Sequence, residues 1–287
     1  MDGTDIITFL SDSGWGGGYV AVCEAMVARI RPQARIFHIS HEIPVGDVGA
    51  AALVLERIAP LYPPAVHVAI VGPGVQQGRR PLALSTVRGD LLVGPDNGVL
   101  LNAAEALGGL QTAWLLDQVR VRAAAGLPAD RTCSSFHGRD VFAPAAALLA
   151  GAADPALCAG QLDPSTLVRP VQPLAETTPA GSIAEVIEID RFGNVGLALR
   201  FCDLPPRLGH VQVDVVGEEL PEWTARVVGN YGELRPGELG VVCDSWGQVA
   251  LALNSASAAQ VLLLDRGMKV RLSPAGQPSP DATEART

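Results

Sequence analysis

Along the N-terminal half of the chain, short apolar runs alternate with stretches whose apolar residues recur every three or four positions. Ile6-Ile7-Thr8-Phe9-Leu10 is a run of the first kind, and it predicts a buried strand feeding the glycine-rich loop Ser11-Asp12-Ser13-Gly14-Trp15-Gly16-Gly17-Gly18. Tyr19, Val22, Met26 and Ile30 follow at helical spacing, and Pro32 sets the end of that helix. A strand is expected over residues 35–39, then the loop His41-Glu42-Ile43-Pro44 and a helix from Asp47 with Val48, Ala51, Leu55 and Ile58 on one face. Residues 66–71 predict a strand that runs into a second glycine-rich turn, residues 72–80. Strands over 82–87 and 91–93 flank Arg88-Gly89-Asp90. Gly94-Pro95-Asp96-Asn97-Gly98 then leads to a helix through Leu107 that stops at Gly108-Gly109.

The pattern changes near residue 170. Helical spacing gives way to period-two alternation: Val211, Val213 and Val215 with Gln212 and Asp214 between them, then Val249, Leu251 and Leu253 with alanines between. Turns at Gly217, Gly229-Asn230, Gly232 and Gly247 punctuate it. The expected architecture is an α/β N-terminal domain (1–170) with a central, largely parallel sheet, plus a smaller C-terminal antiparallel β domain, barrel-like (182–273). Prolines and glycines over 171–181 suggest a linker, and the polar, Pro- and Ala-rich 274–287 a disordered tail.

Composition narrows the classes. A net charge of −9, with Lys269 the only lysine, opposes binding to nucleic acid or an anionic membrane, both of which need clustered cations. There is no signal-peptide pattern and no apolar run near the roughly 18 residues of a membrane span, so a cytoplasmic location is expected. The five cysteines stand singly, and His38 and His41, three apart, lack a third ligand nearby, so neither a disulfide framework nor a metal site is expected.

Candidate chemistry lies in the loops. In an open α/β sheet the carboxyl ends of the strands converge, so the loops at 12–18, 41–47, 72–80 and 94–98 can share a crevice. Asp12 offers a two-oxygen acceptor suited to a ribose diol, and the glycines let a ligand approach the backbone. Ser134-Ser135-Phe136-His137-Gly138-Arg139-Asp140 sets an imidazole on a loop before an Ala-rich helix, with Asp140 the expected N-cap. Taken alone, His137 reads more readily as a hydrogen-bonded loop histidine than as a site residue. Neither a G-x-G-x-x-G fingerprint nor a Walker lysine motif is present.

As an ordered set, however, several short motifs resemble one family. They are Thr8-Phe9-Leu10-Ser11-Asp12-Ser13-Gly14, His41-Glu42-Ile43-Pro44 with Asp47-Val48, Pro73-Gly74-Val75, Arg79-Arg80-Pro81, Gly94-Pro95-Asp96-Asn97-Gly98, Phe136-His137-Gly138-Arg139-Asp140 and Asp190-Arg191-Phe192-Gly193-Asn194-Val195. Spread over residues 5–272, they resemble the adenosine-forming S-adenosylmethionine hydrolases, or hydroxide adenosyltransferases, which are related to fluorinating and chlorinating enzymes.

The resemblance implies substitution at the 5′ carbon of the ribose, with methionine leaving as a thioether and no cofactor or metal. Arg79 and His137 would take two places of an Asp-Arg-His trio that holds the attacking water, and Asp12 would hold the ribose hydroxyls. Phe136 and Gly138 would line the substrate, and Asn194, Ser245, Asn254 and Ser255 would contact its adenine end, in a homotrimer. Two family aspartates are glycines here: Gly72 replaces the third member of the trio, and Gly17 replaces a carboxylate near the methionine ammonium. Hydrolysis is therefore one expectation, with Glu42 or Asp96 as a compensating carboxylate. Transfer to another nucleophile such as halide, use of another 5′-activated adenosine, and an adenosine-binding protein without turnover are the others.

Overall fold

The computed structural model describes residues 4–72, 80–128, 135–157, 159–205, 209–218 and 221–275. By their contacts the residues divide into two units, Met1–Val171 and Gln172–Thr287.

In the first unit, β1 (Ile6–Ser11), α1 (Tyr19–Ile30), β2 (Arg35–Ser40), α2 (Val48–Ile58) and β3 (Val66–Ile70) are followed by β4 (Pro81–Thr86), β5 (Leu91–Pro95), α3 (Leu101–Ala106), β6 (Leu110–Leu116), α4 (Gln118–Ala124), α5 (Ala143–Ala150) and β7 (Ala159–Leu162). The sheet runs β2-β1-β3-β5-β4-β6-β7. Its β2, β1, β3 and β5 are parallel, while β4, β6 and β7 pair antiparallel with their neighbours.

The parallel strands are covered on both faces, which is why they read as continuous apolar runs rather than alternating ones. Along β1 the pleat sends Ile7 and Phe9 into a core with Val20, Cys23 and Val27 of α1 and Ala146 and Leu149 of α5. Leu10 joins the opposite core, with Ala51 and Leu55 of α2 and Ala103 of α3. Asp47 caps α2, its Oδ1 accepting from the Ala50 N–H at 2.8 Å.

The face of α1 differs from the expected one. Val20, Cys23 and Val27 are its buried residues, whereas Tyr19 and Val22 are exposed. Met26 and Ile30 pack against the core as expected, while the Tyr19 ring turns to meet Phe136 edge-to-face.

The second unit contains β8 (Ala175–Thr178), β9 (Gly181–Ile189), β10 (Val195–Arg200), β11 (His210–Val215), β12 (Trp223–Val228), β13 (Leu239–Cys243), β14 (Gln248–Leu253), α6 (Ala258–Val261) and β15 (Lys269–Pro274). The strand order is β10-β14-β13-β12-β11-β15-β9-β8, and β9 also pairs with β10, so the sheet closes into a barrel with β8 outside the ring. Every pair is antiparallel except β12 with β13. Val211, Val213 and Val215 point inward as their alternation predicts. On β14 the intervening alanines, Ala250 and Ala252, are buried as well.

Candidate active site

Four structural choices bring polar groups to the carboxyl edge of the parallel strands. Asp12 follows β1 directly, and its Oδ2 accepts the N–H of Gly46 at 2.9 Å and that of Gly72, just past β3, at 3.0 Å. Gly14 N–H donates to the His41 carbonyl at 2.8 Å, tying the first loop to the one after β2. Gly72 has φ +120°, a conformation that strains any L side chain, so its glycine suits the backbone that closes on Asp12. Asn97 supports the same turn, its Nδ2 donating to the Val71 carbonyl at 2.9 Å.

Because β4 runs opposite to β5, Arg80 stands at this edge too. Its guanidinium donates to Asp96 Oδ2, through Nε at 2.8 Å and through Nη2, while Asp96 Oδ1 accepts the Val168 N–H at 2.9 Å. With its side chain nearly buried, Asp96 braces Arg80 and the chain at 168. Glu42 is exposed. Arg79, with Pro73, Gly74 and Val75, lies outside the described residues.

The second element of the site is the turn that carries His137. Residues Gly138–Phe142 form a π-helical turn ahead of α5. Asp140 is buried inside it and is not an N-cap: it accepts from Arg122 Nη1 at 2.9 Å and from Arg139 Nε and Nη2 at 3.0 and 2.7 Å. The carboxylate is drawn inward because Arg122, itself buried on α4, needs a counter-charge; its Nε and Nη2 also donate to the Pro128 carbonyl. Gly138 is required by packing, since a Cβ there would lie 2.8 Å from the Phe136 ring and 3.2 Å from Cys23 Sγ. Phe136 meets Tyr19 edge-to-face at 5.2 Å and lies under the Arg139 guanidinium at 5.6 Å, while His137 is set edge-on to Phe142. Through Tyr19 the turn is packed on the start of α1, directly after the Asp12 loop. The same tyrosine explains Gly17, where a Cβ would come within 2.9 Å of its ring.

A third element was not visible as a unit in the sequence. Ser13 Oγ lies 2.8 Å from Ser11 Oγ, which lies 2.7 Å from His41 Nδ1. His41 Nε2 is 2.8 Å from His38 Nδ1, and His38 Nε2 is 2.9 Å from Glu24 Oε1 on α1. Trp15 sits edge-on to both imidazoles and Phe9 packs edge-on to His41. Burial, and then the neighbouring His38, push the His41 pKa down to about 4, so the ring is neutral at neutral pH. The spacing of His38 and His41 was the available signal; their nitrogens serve each other and a carboxylate.

In the second unit, Asp190 shapes the β9–β10 turn. Its Oδ1 accepts the Phe192 and Asn194 N–H groups at 2.8 and 2.9 Å, and its Oδ2 accepts from Asn194 Nδ2 at 2.8 Å. Gly193, at φ +82°, backs onto Ser257, leaving no room for a Cβ. A cavity of about 580 Å³ is lined there by Asp190, Arg191, Phe192, Ser257, Gln260 and Asp265. Ser245 is exposed in the turn after β13. Asn254 donates from Nδ2 to the Leu234 carbonyl and accepts from Ser255 Oγ at 2.8 Å, and Ser255 takes a left-handed φ of +70°.

Known proteins resemble the chain over nearly its whole length. The family model for the SAM hydroxide adenosyltransferase N-terminal domain matches residues 7–158, and that for the C-terminal domain matches 184–271. A protein of Salinispora tropica named (R)-S-adenosyl-L-methionine hydrolase is 43% identical over 95% of this chain and 99% of its own. One of the same name from Thermus thermophilus is 38% identical over 93% of this chain and 98% of its own. Among solved structures, a conserved protein of Thermotoga maritima superimposes with a TM-score of 0.82 at 31% identity, covering 93% of this chain and 99% of that one.

Proposed function

The chain belongs to the SAM hydroxide adenosyltransferase family, and on that premise we propose that it hydrolyses (R)-S-adenosyl-L-methionine to adenosine and L-methionine. The observation that carries the reading is Asp12, whose Oδ2 is fixed by two backbone N–H groups at the convergence of the parallel strands. A carboxylate held this way is a pre-oriented acceptor for a ribose hydroxyl.

In the reaction a water oxygen attacks C5′ from the side opposite sulfur. The C5′–O bond forms as the C5′–S bond breaks, its electron pair passes to sulfur to give a neutral thioether, and one water proton is released. The sulfonium leaves readily, so the protein's task is alignment and exclusion of bulk water. Arg79 would favour the hydroxide form of the nucleophile and His137 would orient it, while Phe136 and Gly138 shape the wall beside them. Asn194, Ser245, Asn254 and Ser255 are assigned to the adenine end, and self-association into trimers belongs to the same reading. Without a carboxylate at position 72, the positive charge of Arg79 would be offset by the nucleophile itself.

Incubation with S-adenosylmethionine, followed by chromatography, is expected to yield adenosine and methionine in equal amounts. Halogenated nucleoside formed in halide buffer, or bound ligand recovered intact after hours, would replace this reading with transfer or with binding alone.

A further inference from the structure

Hydrolysis at a sulfonium consumes a neutral water and liberates a proton inside a site from which bulk water has been displaced. That proton needs a way out. Resting on the hydrolase reading, we propose that Ser13, Ser11, His41, His38 and Glu24 form a proton-release path from the Asp12 loop to solvent.

Continuity is the first argument. Four successive contacts of 2.8, 2.7, 2.8 and 2.9 Å link five side chains without a gap, each within hydrogen-bond distance. The path begins at Ser13, next to Asp12, and ends at Glu24, whose side chain is 41% exposed. At its centre Ser11 and His41 are buried, with the rings of Phe9 and Trp15 edge-on to the His41 imidazole, while the His38 side chain is 24% exposed on the solvent side. Across the buried Ser11–His41 stretch a proton moves along the bonds.

Polarity is the second argument. An ionised Glu24 only accepts, so His38 Nε2 carries hydrogen toward it and, in the neutral ring, His38 Nδ1 is an acceptor. His41 must then donate from Nε2, which makes its Nδ1 the acceptor for Ser11, and Ser11 in turn accepts from Ser13. Every donor in the neutral chain therefore points from the site toward solvent. Transfer is a concerted shift: as a proton released in the site is taken up at Ser13, Ser13 gives its own to Ser11, Ser11 to His41 Nδ1, and His41 passes its Nε2 proton to His38 Nδ1. The result is an imidazolium beside the Glu24 carboxylate, which hands one proton to bulk solvent. Rotation of the two hydroxyls and return of the imidazole tautomers reset the chain. The depressed basicity of His41 suits a group that conducts charge without retaining it, and the Glu24 carboxylate at the exposed end draws the proton outward. Cys23, next to Glu24 on α1, stays a thiol, its pKa pushed up to about 12 by burial and then by that carboxylate.

The test uses the full-length chain and the adenosine-release assay. Wild-type turnover establishes the parent reading, so its absence would sink that reading rather than this one. With turnover in hand, Glu24→Gln and His38→Ala are expected to lower kcat about 10- to 100-fold with KM within twofold. The wild-type solvent deuterium effect on kcat should fit more than one proton in flight, and the acid limb of kcat should move to lower pH in Glu24→Gln, where the carboxylate no longer favours a protonated chain. Added imidazoles should restore His38→Ala in proportion to their basicity, a response that a purely structural role would not give. Unchanged kcat and pH profile in Glu24→Gln, or loss in His38→Ala that no imidazole restores, overturns the path.

Discussion

Two buried histidines flank strand β1, and they are sealed in opposite ways. Toward the amino edge of the sheet, His67 Nδ1 lies 2.8 Å from Thr8 Oγ1 and its Nε2 3.2 Å from Asp90 Oδ1. Asp90 is fully buried and is saturated by Arg88 Nε and Nη2 at 2.7 and 2.8 Å and by the Ala65 N–H at 3.0 Å. Burial works to raise the Asp90 pKa, but the hydrogen bonds from Arg88, His67 and Ala65 outweigh it and hold the carboxyl well below its usual range. At the carboxyl edge His41 is equally buried, yet its partners are neutral or titratable groups leading to an exposed carboxylate. A network closed by a permanent charge locks strands together, whereas an open-ended one can change its protonation. A cavity of about 480 Å³ at the amino edge, lined by Thr4, Ala65, Gly89 and Asp154, lies on the locked side.

The comparison is broken most forcefully at the closed network. Asp90→Ala strands the Arg88 and His67 partners and is expected to cost about 4 kcal/mol in urea unfolding, with kcat of the folded fraction unchanged. A loss of turnover without loss of stability would mean the two networks are not separate in function.

Acid titration separates them next. His41, with its pKa lowered from 6.5 to about 4, binds its proton more readily unfolded. Its contribution is therefore complete above about pH 6.5 and is withdrawn as pH falls toward 4, by roughly 3 kcal/mol at most. Asp90, being depressed, keeps its contribution through that window and loses it only as pH falls through its lowered pKa. Unfolding midpoints followed from pH 7 to 4 should decline in the wild type and flatten in His41→Gln. Identical slopes would show that His41 is not buried as a neutral ring.

The smallest effect is expected at the seam between α1 and the His137 turn. Gly138→Ala forces a methyl against Phe136 and Cys23 and should cost about 2 kcal/mol. Since Phe136 moves first, kcat/KM for S-adenosylmethionine should fall more than the midpoint of thermal unfolding suggests; equal proportional losses would leave the turn a purely structural element.

Much of this was legible in the sequence, and the failures have physical causes. Continuous apolar runs marked β1, β3 and β5 because both faces are covered, and alternation marked β11 because only one is. The face of α1 was misread where two apolar residues, Tyr19 and Val22, stay exposed. Asp140 resembled a cap because a carboxylate before an Ala-rich run normally is one; only Arg122, 18 residues away, turns it inward. Asp12 was legible from its position after a strand and before glycines. The three-residue spacing of His38 and His41 hinted that they meet, but Glu24 and Ser13 were not legible, since their roles depend on α1, β2 and β1 lying side by side.

Closure of the barrel has a consequence for how the second unit behaves among its neighbours. Because β9 pairs with β10 as well as with β15, the ring of described strands closes on itself, and the one described strand outside it, β8, is four residues long, wholly exposed and carries Glu176. Such an edge is a poor template for an incoming strand. In this unit, resistance to cross-chain pairing at high concentration is built into the topology rather than left to the surface charge.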